Sequence, residues 1–73
     1  MNKNLLRSKM ALLGDTCKAL GAFLGLSPSS FSAKLNGWRG AEFTQNEIRK
    51  IRDRYSLTAE ETVEIFFINK KSY

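Results

Sequence analysis

The sequence predicts an all-α fold: a compact bundle of five short helices in a single domain spanning residues 1–73. Three observations predict it. Apolar residues recur at three- and four-residue spacing. Cap residues and glycines divide the chain at regular intervals. No alternating strand pattern, internal repeat or low-complexity segment interrupts this order. The run IFFI at 65–68 has strand-forming residues, but it follows a helix-start signal and reads as a helix end.

The first helix is expected over Lys3–Leu13 with Asn2 as its N-cap. Leu6, Met10 and Leu13 lie at helical spacing, with Leu5 and Leu12 beside them, and Gly14 closes the helix in the left-handed conformation. A second helix starts after Thr16, with Asp15 or Thr16 as its cap, and runs to Leu24, with Leu20, Phe23 and Leu24 as its apolar positions. Gly25 stops it and Leu26 plugs the turn. The third helix begins at Ser27-Pro28. Serine is a favoured cap, and proline is tolerated at the first helical position because that N–H has no helical partner. Phe31 and Leu35 point inward and Asn36-Gly37 ends the helix. Residues 38–43 read as a loop.

Thr44 and Glu47 then form a capping box, with Phe43 stapled onto Ile48. The fourth helix reaches Arg54, with Ile48, Ile51 and Tyr55 as its inner stripe and a weak Arg49–Asp53 pair on its outer face. Thr58 and Glu61 repeat the capping box for a fifth helix over Ala59–Phe67, with Val63 and one of Phe66 and Phe67 inward. A helix buries only part of the run Ile65–Ile68; three of its four residues are expected inside, with a dimer or partner surface formed by the remainder as the alternative. Residues 69–73 read as a frayed tail.

A chain of 73 residues supplies only a small core, so its helices must pack efficiently or gain from a partner. The formal net charge of +5 suits a polyanionic partner, and it equally suits simple solubility. One cysteine, Cys17, excludes an intrachain disulfide, and with no histidine a zinc site is not expected. Cys17 reads as an inert, half-exposed thiol. No apolar run is long enough for a membrane span, and the N-terminus lacks a signal-peptide pattern. A reducing compartment, the bacterial cytoplasm, is therefore the expected location. An enzyme is not expected: no metal constellation, phosphate-cradling glycine loop or substrate-sized pocket is indicated, and no cofactor or small-molecule substrate is implied.

The second helix, its turn and the third helix form a unit whose parts have separate reasons. Gly21 leaves room where the third helix approaches the second, Gly25 permits the short turn, Leu26 fills the corner, and Phe31 locks the third helix onto the core. Such a frame holds the outer face of a helix at a fixed angle.

The run DTCKALGAFLGLSPSSFSAKLNG resembles the helix-turn-helix of the lambda-repressor/Cro (XRE-like) family through Thr16, Leu20, Leu24, Gly25, Leu26, Ser27, Asn36 and Gly37. The segments EFTQNEIRKI and LTAEETVEIFF resemble small regulators of temperate phages of Gram-positive bacteria. The resemblance covers residues 3–67. It implies a lambda-repressor-like five-helix bundle, base contacts from Pro28, Ser29, Ser32 and Ala33 with Ser30 near, and a phosphate contact at Asn36. It also implies backbone contacts around Thr16 and Cys17 at the start of the second helix, where free N–H groups suit phosphate. Lys18, Lys34 and Arg39 are candidate phosphate ligands, with ordinary solvated charge as the alternative. Trp38 packs at the core edge or faces a partner, with the core edge preferred.

Three departures stand out. Cys17 stands where the family often has Gln, Pro28 where it often has a long polar residue, and Lys34 where it is often apolar, with Leu35 taking the packing role. The bidentate contacts that give most base discrimination are therefore missing. Two functions are implied. The first-ranked is a Cro-like DNA-binding regulator of a lysis–lysogeny switch, working as a homodimer on double-stranded operator DNA. The other is an antirepressor that binds the phage repressor's own DNA-binding domain.

Overall fold

A computed structural model describes residues 1–67, and the expected tail at 69–73 lies outside them, as does Ile68. The order is α1 (Lys3–Leu12), α2 (Cys17–Phe23), α3 (Pro28–Asn36), a 3₁₀ turn (Trp38–Gly40), α4 (Gln45–Tyr55) and α5. The last opens as one α-helical turn, Ala59–Thr62, and widens into a π-helical turn over Val63–Phe67. The architecture is the expected all-α five-helix bundle, with α2, a four-residue turn and α3 forming the helix-turn-helix.

Each helix starts where a side chain takes an otherwise orphaned N–H. Asn2 Oδ1 accepts from Leu5 N–H at 3.1 Å, Thr16 Oγ1 from Ala19 N–H at 3.0 Å, and Ser27 Oγ from Ser30 N–H at 3.2 Å. Both capping boxes are complete, Thr44 with Glu47 and Thr58 with Glu61. Thr16, rather than Asp15, caps α2, because Asp15 is engaged across the bundle. Gly14, Gly25 and Gly37 all take positive φ just past helix ends.

One residue set from every helix meets in the core: Leu6 and Met10, Leu20 and Leu24, Phe31 and Leu35, Ile51 and Tyr55, and Ile65. Phe43 and Leu57, each just ahead of a capping threonine, are buried with them. Phe43 lies between the rings of Phe31 at 5.7 Å and Phe66 at 6.2 Å, both tilted or edge-on. The staple residue is thus the centre of an aromatic cluster that joins α3, the α4 entry and the chain end. Gly21 meets α3 as expected: a Cβ added there would lie 3.4 Å from Phe31 Cβ.

Four expectations are corrected. Leu13 is 61% exposed because α1 ends at Leu12 and the chain leaves the helical stripe. Phe23 is exposed on the outer side of α2, where the Arg54 guanidinium lies 4.6 Å from its ring centroid. Asp53 pairs with Arg52 at 3.5 Å rather than with Arg49. Val63 is 47% exposed, since π winding adds a residue to the turn and brings Thr62, Ile65 and part of Phe66 inward instead. Phe67 is exposed too, so of the apolar run only Ile65 is fully buried among the described residues. The Ile65 carbonyl then accepts the Asn2 N–H at 2.7 Å, tying the end of α5 to the start of α1.

Candidate docking face of the helix-turn-helix unit

The surface indicated by the sequence divides into three zones. At the start of α2, Thr16, Cys17 and Lys18 are all exposed. The N–H groups of Cys17 and Lys18, in the first helical turn, have no carbonyl four residues back to bond within the helix. Along α3, Pro28, Ser29 and Ser30 are exposed, whereas Ser32 and Ala33 are half-buried. After α3, Trp38 and Arg39 project from the 3₁₀ turn, and Trp38 is 60% exposed rather than packed at the core edge.

The start of α3 offers little to an anion. Pro28 has no N–H, and the Ser30 N–H is already given to Ser27 Oγ. Its two long polar side chains turn back into the fold. Lys34 Nζ donates to both Glu47 oxygens, at 2.8 and 3.0 Å. The same Glu47 accepts the Thr44 N–H at 2.9 Å, so Lys34 is tied into the capping box of α4. Burial pushes the Glu47 carboxyl up, but the Lys34 ammonium and the Thr44 N–H outweigh it and hold the group below its ordinary value. Asn36 Nδ2 donates to the Ser32 carbonyl at 2.9 Å, and its Oδ1 accepts from Lys3 Nζ at 2.6 Å.

A cluster that sequence reasoning missed fixes the root of α2. Asp15 accepts Arg54 Nε at 2.7 Å, Arg54 Nη2 at 3.2 Å, the Tyr55 hydroxyl at 2.6 Å and the Thr16 N–H at 3.0 Å. The Arg54 bonds hold the Asp15 carboxyl down at about 2, against the opposing effect of burial and with help from Tyr55 and Thr16. Burial, then the Asp15 carboxylate, raise the Tyr55 hydroxyl well above its ordinary value. Both partners lie some 40 residues from Asp15 in sequence, so no local pattern announces the cluster.

A groove of about 690 Å³ lies between the end of α3 and the start of α4, with Leu35, Gly37, Gly40, Phe43 and Ile48 among its walls. Among the described residues no group of three or more His, Cys, Asp and Glu side chains is placed to hold a metal ion, and no helix is long and apolar enough to cross a membrane. No family model, curated protein or solved structure compared with this chain matches it. The class defined by the fold is a small all-α bundle that presents a helix-turn-helix face with short side chains on α3.

Proposed function

We propose that the chain is a helix-turn-helix regulator of a phage lysis–lysogeny switch that acts by protein contact, docking its α2–α3 face on the DNA-binding domain of the phage repressor in the bacterial cytoplasm. The phage context rests on the sequence resemblance. The choice of a protein partner rests on the state of α3. Its exposed side chains are Pro28, Ser29 and Ser30, while Lys34 and Asn36 are spent on Glu47, Ser32 and Lys3. Reading bases in the major groove needs side chains long enough to form paired hydrogen bonds, and this helix presents none free.

Autonomous, Cro-like binding to operator DNA as a homodimer is the second reading. The net charge of +5, the exposed Lys18 and Arg39 and the unpaired N–H groups at the start of α2 favour it.

Fluorescence anisotropy on the operator region beside the gene, at low and physiological salt and with and without the repressor, separates the two. Protein contact predicts no selective binding by this chain alone and an altered or abolished repressor shift. Salt-sensitive, sequence-selective binding by the chain alone, weakened by Ser29→Ala, would refute it in favour of the Cro-like reading.

A further inference from the structure

The turn after α3 carries a feature the docking reading does not by itself require. Gly37, Arg39 and Gly40 all have positive φ, at 71°, 55° and 77°. Of the six described residues in this conformation four are glycine, and Arg39 and Ser56 are the exceptions. A side chain in the left-handed region is disfavoured by contact between Cβ and the backbone, and glycine relieves it. The Arg39 backbone lies inside the turn that the Ala41 N–H closes onto the Trp38 carbonyl at 2.9 Å, but its side chain adds nothing visible to the fold. Among the described residues its guanidinium forms no hydrogen bond or ion pair, and the side chain is exposed. Its neighbour Trp38 is exposed as well and is absent from the aromatic cluster around Phe43. The backbone directs both outward: Gly37 and Gly40 line the groove between α3 and α4, while the two residues between them do not.

We infer that Trp38 and Arg39 form the energetic anchor of this face, held outward by a strained turn, and that the partner surface is an apolar pocket bordered by a carboxylate. Trp and Arg are the residues that most often dominate binding at protein interfaces, the indole by filling a dry pocket and the guanidinium by bidentate pairing. Strained backbone clusters at binding and active sites, and of the two non-glycine residues in this conformation Ser56 serves as the C-cap of α4, whereas Arg39 caps no α-helix. A protein fits better than duplex DNA. Bases in a duplex are already stacked, so an indole finds a ring to lie on only in a single strand or at a kinked step. The inference rests on the protein-contact reading and adds to it the residues that carry the affinity and the chemistry they meet.

Trp38 is the single tryptophan, so 5-fluorotryptophan places one fluorine label at the anchor of the full chain. The probe is the purified DNA-binding domain of the repressor, with duplex operator DNA as the comparison. Binding of the domain is expected to shift the fluorine resonance and shield it from a soluble paramagnetic agent. Trp38→Ala is expected to weaken binding by roughly 30-fold or more. Arg39→Gly is expected to raise the melting temperature by a few degrees, roughly what relief of one strained residue gives, yet to weaken binding about as much as Arg39→Ala, on the order of tenfold. A gain in fold stability with a loss of binding is the signature that a merely structural turn would not give. Binding of the domain with the fluorine still solvent-exposed and with wild-type affinity for both substituted chains would overturn the anchor while leaving the docking reading intact. No binding of the domain would overturn both, and a shielded fluorine on duplex DNA alone would overturn the protein partner.

Discussion

Replacing Asp15 with asparagine tests whether the partly exposed Asp15–Arg54–Tyr55 cluster stabilises the bundle. The side chain is only 9% exposed, and four donors converge on it. Its folded-state pKa is lowered from 3.8 to about 2. A lowered carboxyl contributes stability in full above its unfolded value and loses it as pH falls through the folded value. At 1.36 kcal/mol per pKa unit, that shift corresponds to about 2 kcal/mol above pH 5, roughly half of that at pH 3 and little at pH 2. Asparagine keeps the shape but carries no charge at any pH, so it stands in for the protonated acid. Asp15→Asn is therefore expected to lower stability by about 2 kcal/mol at pH 7, or to lower the melting temperature by about 10 °C for a domain of this size. The gap should close between pH 4 and pH 2. Urea titrations followed by circular dichroism, run on both proteins across that range, measure it. Glu47 and Glu61, also held below their ordinary values, lower both curves as acid is added, so the difference between the two proteins isolates Asp15. A gap under about 0.5 kcal/mol at pH 7, or one that persists unchanged at pH 2, would refute the reasoning.

Three other substitutions probe the frame. Gly21→Ala should change stability by less than about 1 kcal/mol, since the new Cβ reaches Phe31 at ordinary contact distance and alanine favours helix, whereas Gly21→Val should cost about 1–3 kcal/mol by overpacking; thermal melts of the pair decide it. Phe43→Ala removes the centre of the aromatic cluster and should cost about 3–5 kcal/mol, enough to leave the chain largely unfolded, visible as a collapse of amide dispersion in its NMR spectrum. Thr44→Ala should cost about 1 kcal/mol by uncapping α4 while Lys34 keeps Glu47; if hydrogen exchange at the start of α4 does not accelerate, the capping box contributes nothing.

The helix starts were legible because capping is local: a hydroxyl or amide and the N–H it takes lie three residues apart, so Asn2, Ser27, Thr44 and Thr58 could be read from order alone, whereas Thr16 was separated from Asp15 only by the bonds Asp15 makes across the bundle. The buried pairs Leu6–Met10, Phe31–Leu35 and Ile51–Tyr55 were legible for the same kind of reason, each lying four residues apart on one helix face. The candidate face was legible only as positions. Whether Lys34 and Asn36 point to a partner depends on Glu47 and Lys3, which α4 and α1 bring to them from elsewhere in the chain. Val63 was misplaced because the π turn changes the helical period, and Phe23 because Arg54 rather than the core covers it. Local order thus set where each helix begins and which stripe it buries. The tertiary structure alone decided which polar groups are consumed inside the bundle and which, as at Trp38 and Arg39, are left facing outward, because hydrogen bonds and ion pairs form between whichever groups packing brings within about 3 Å, however far apart they stand in sequence.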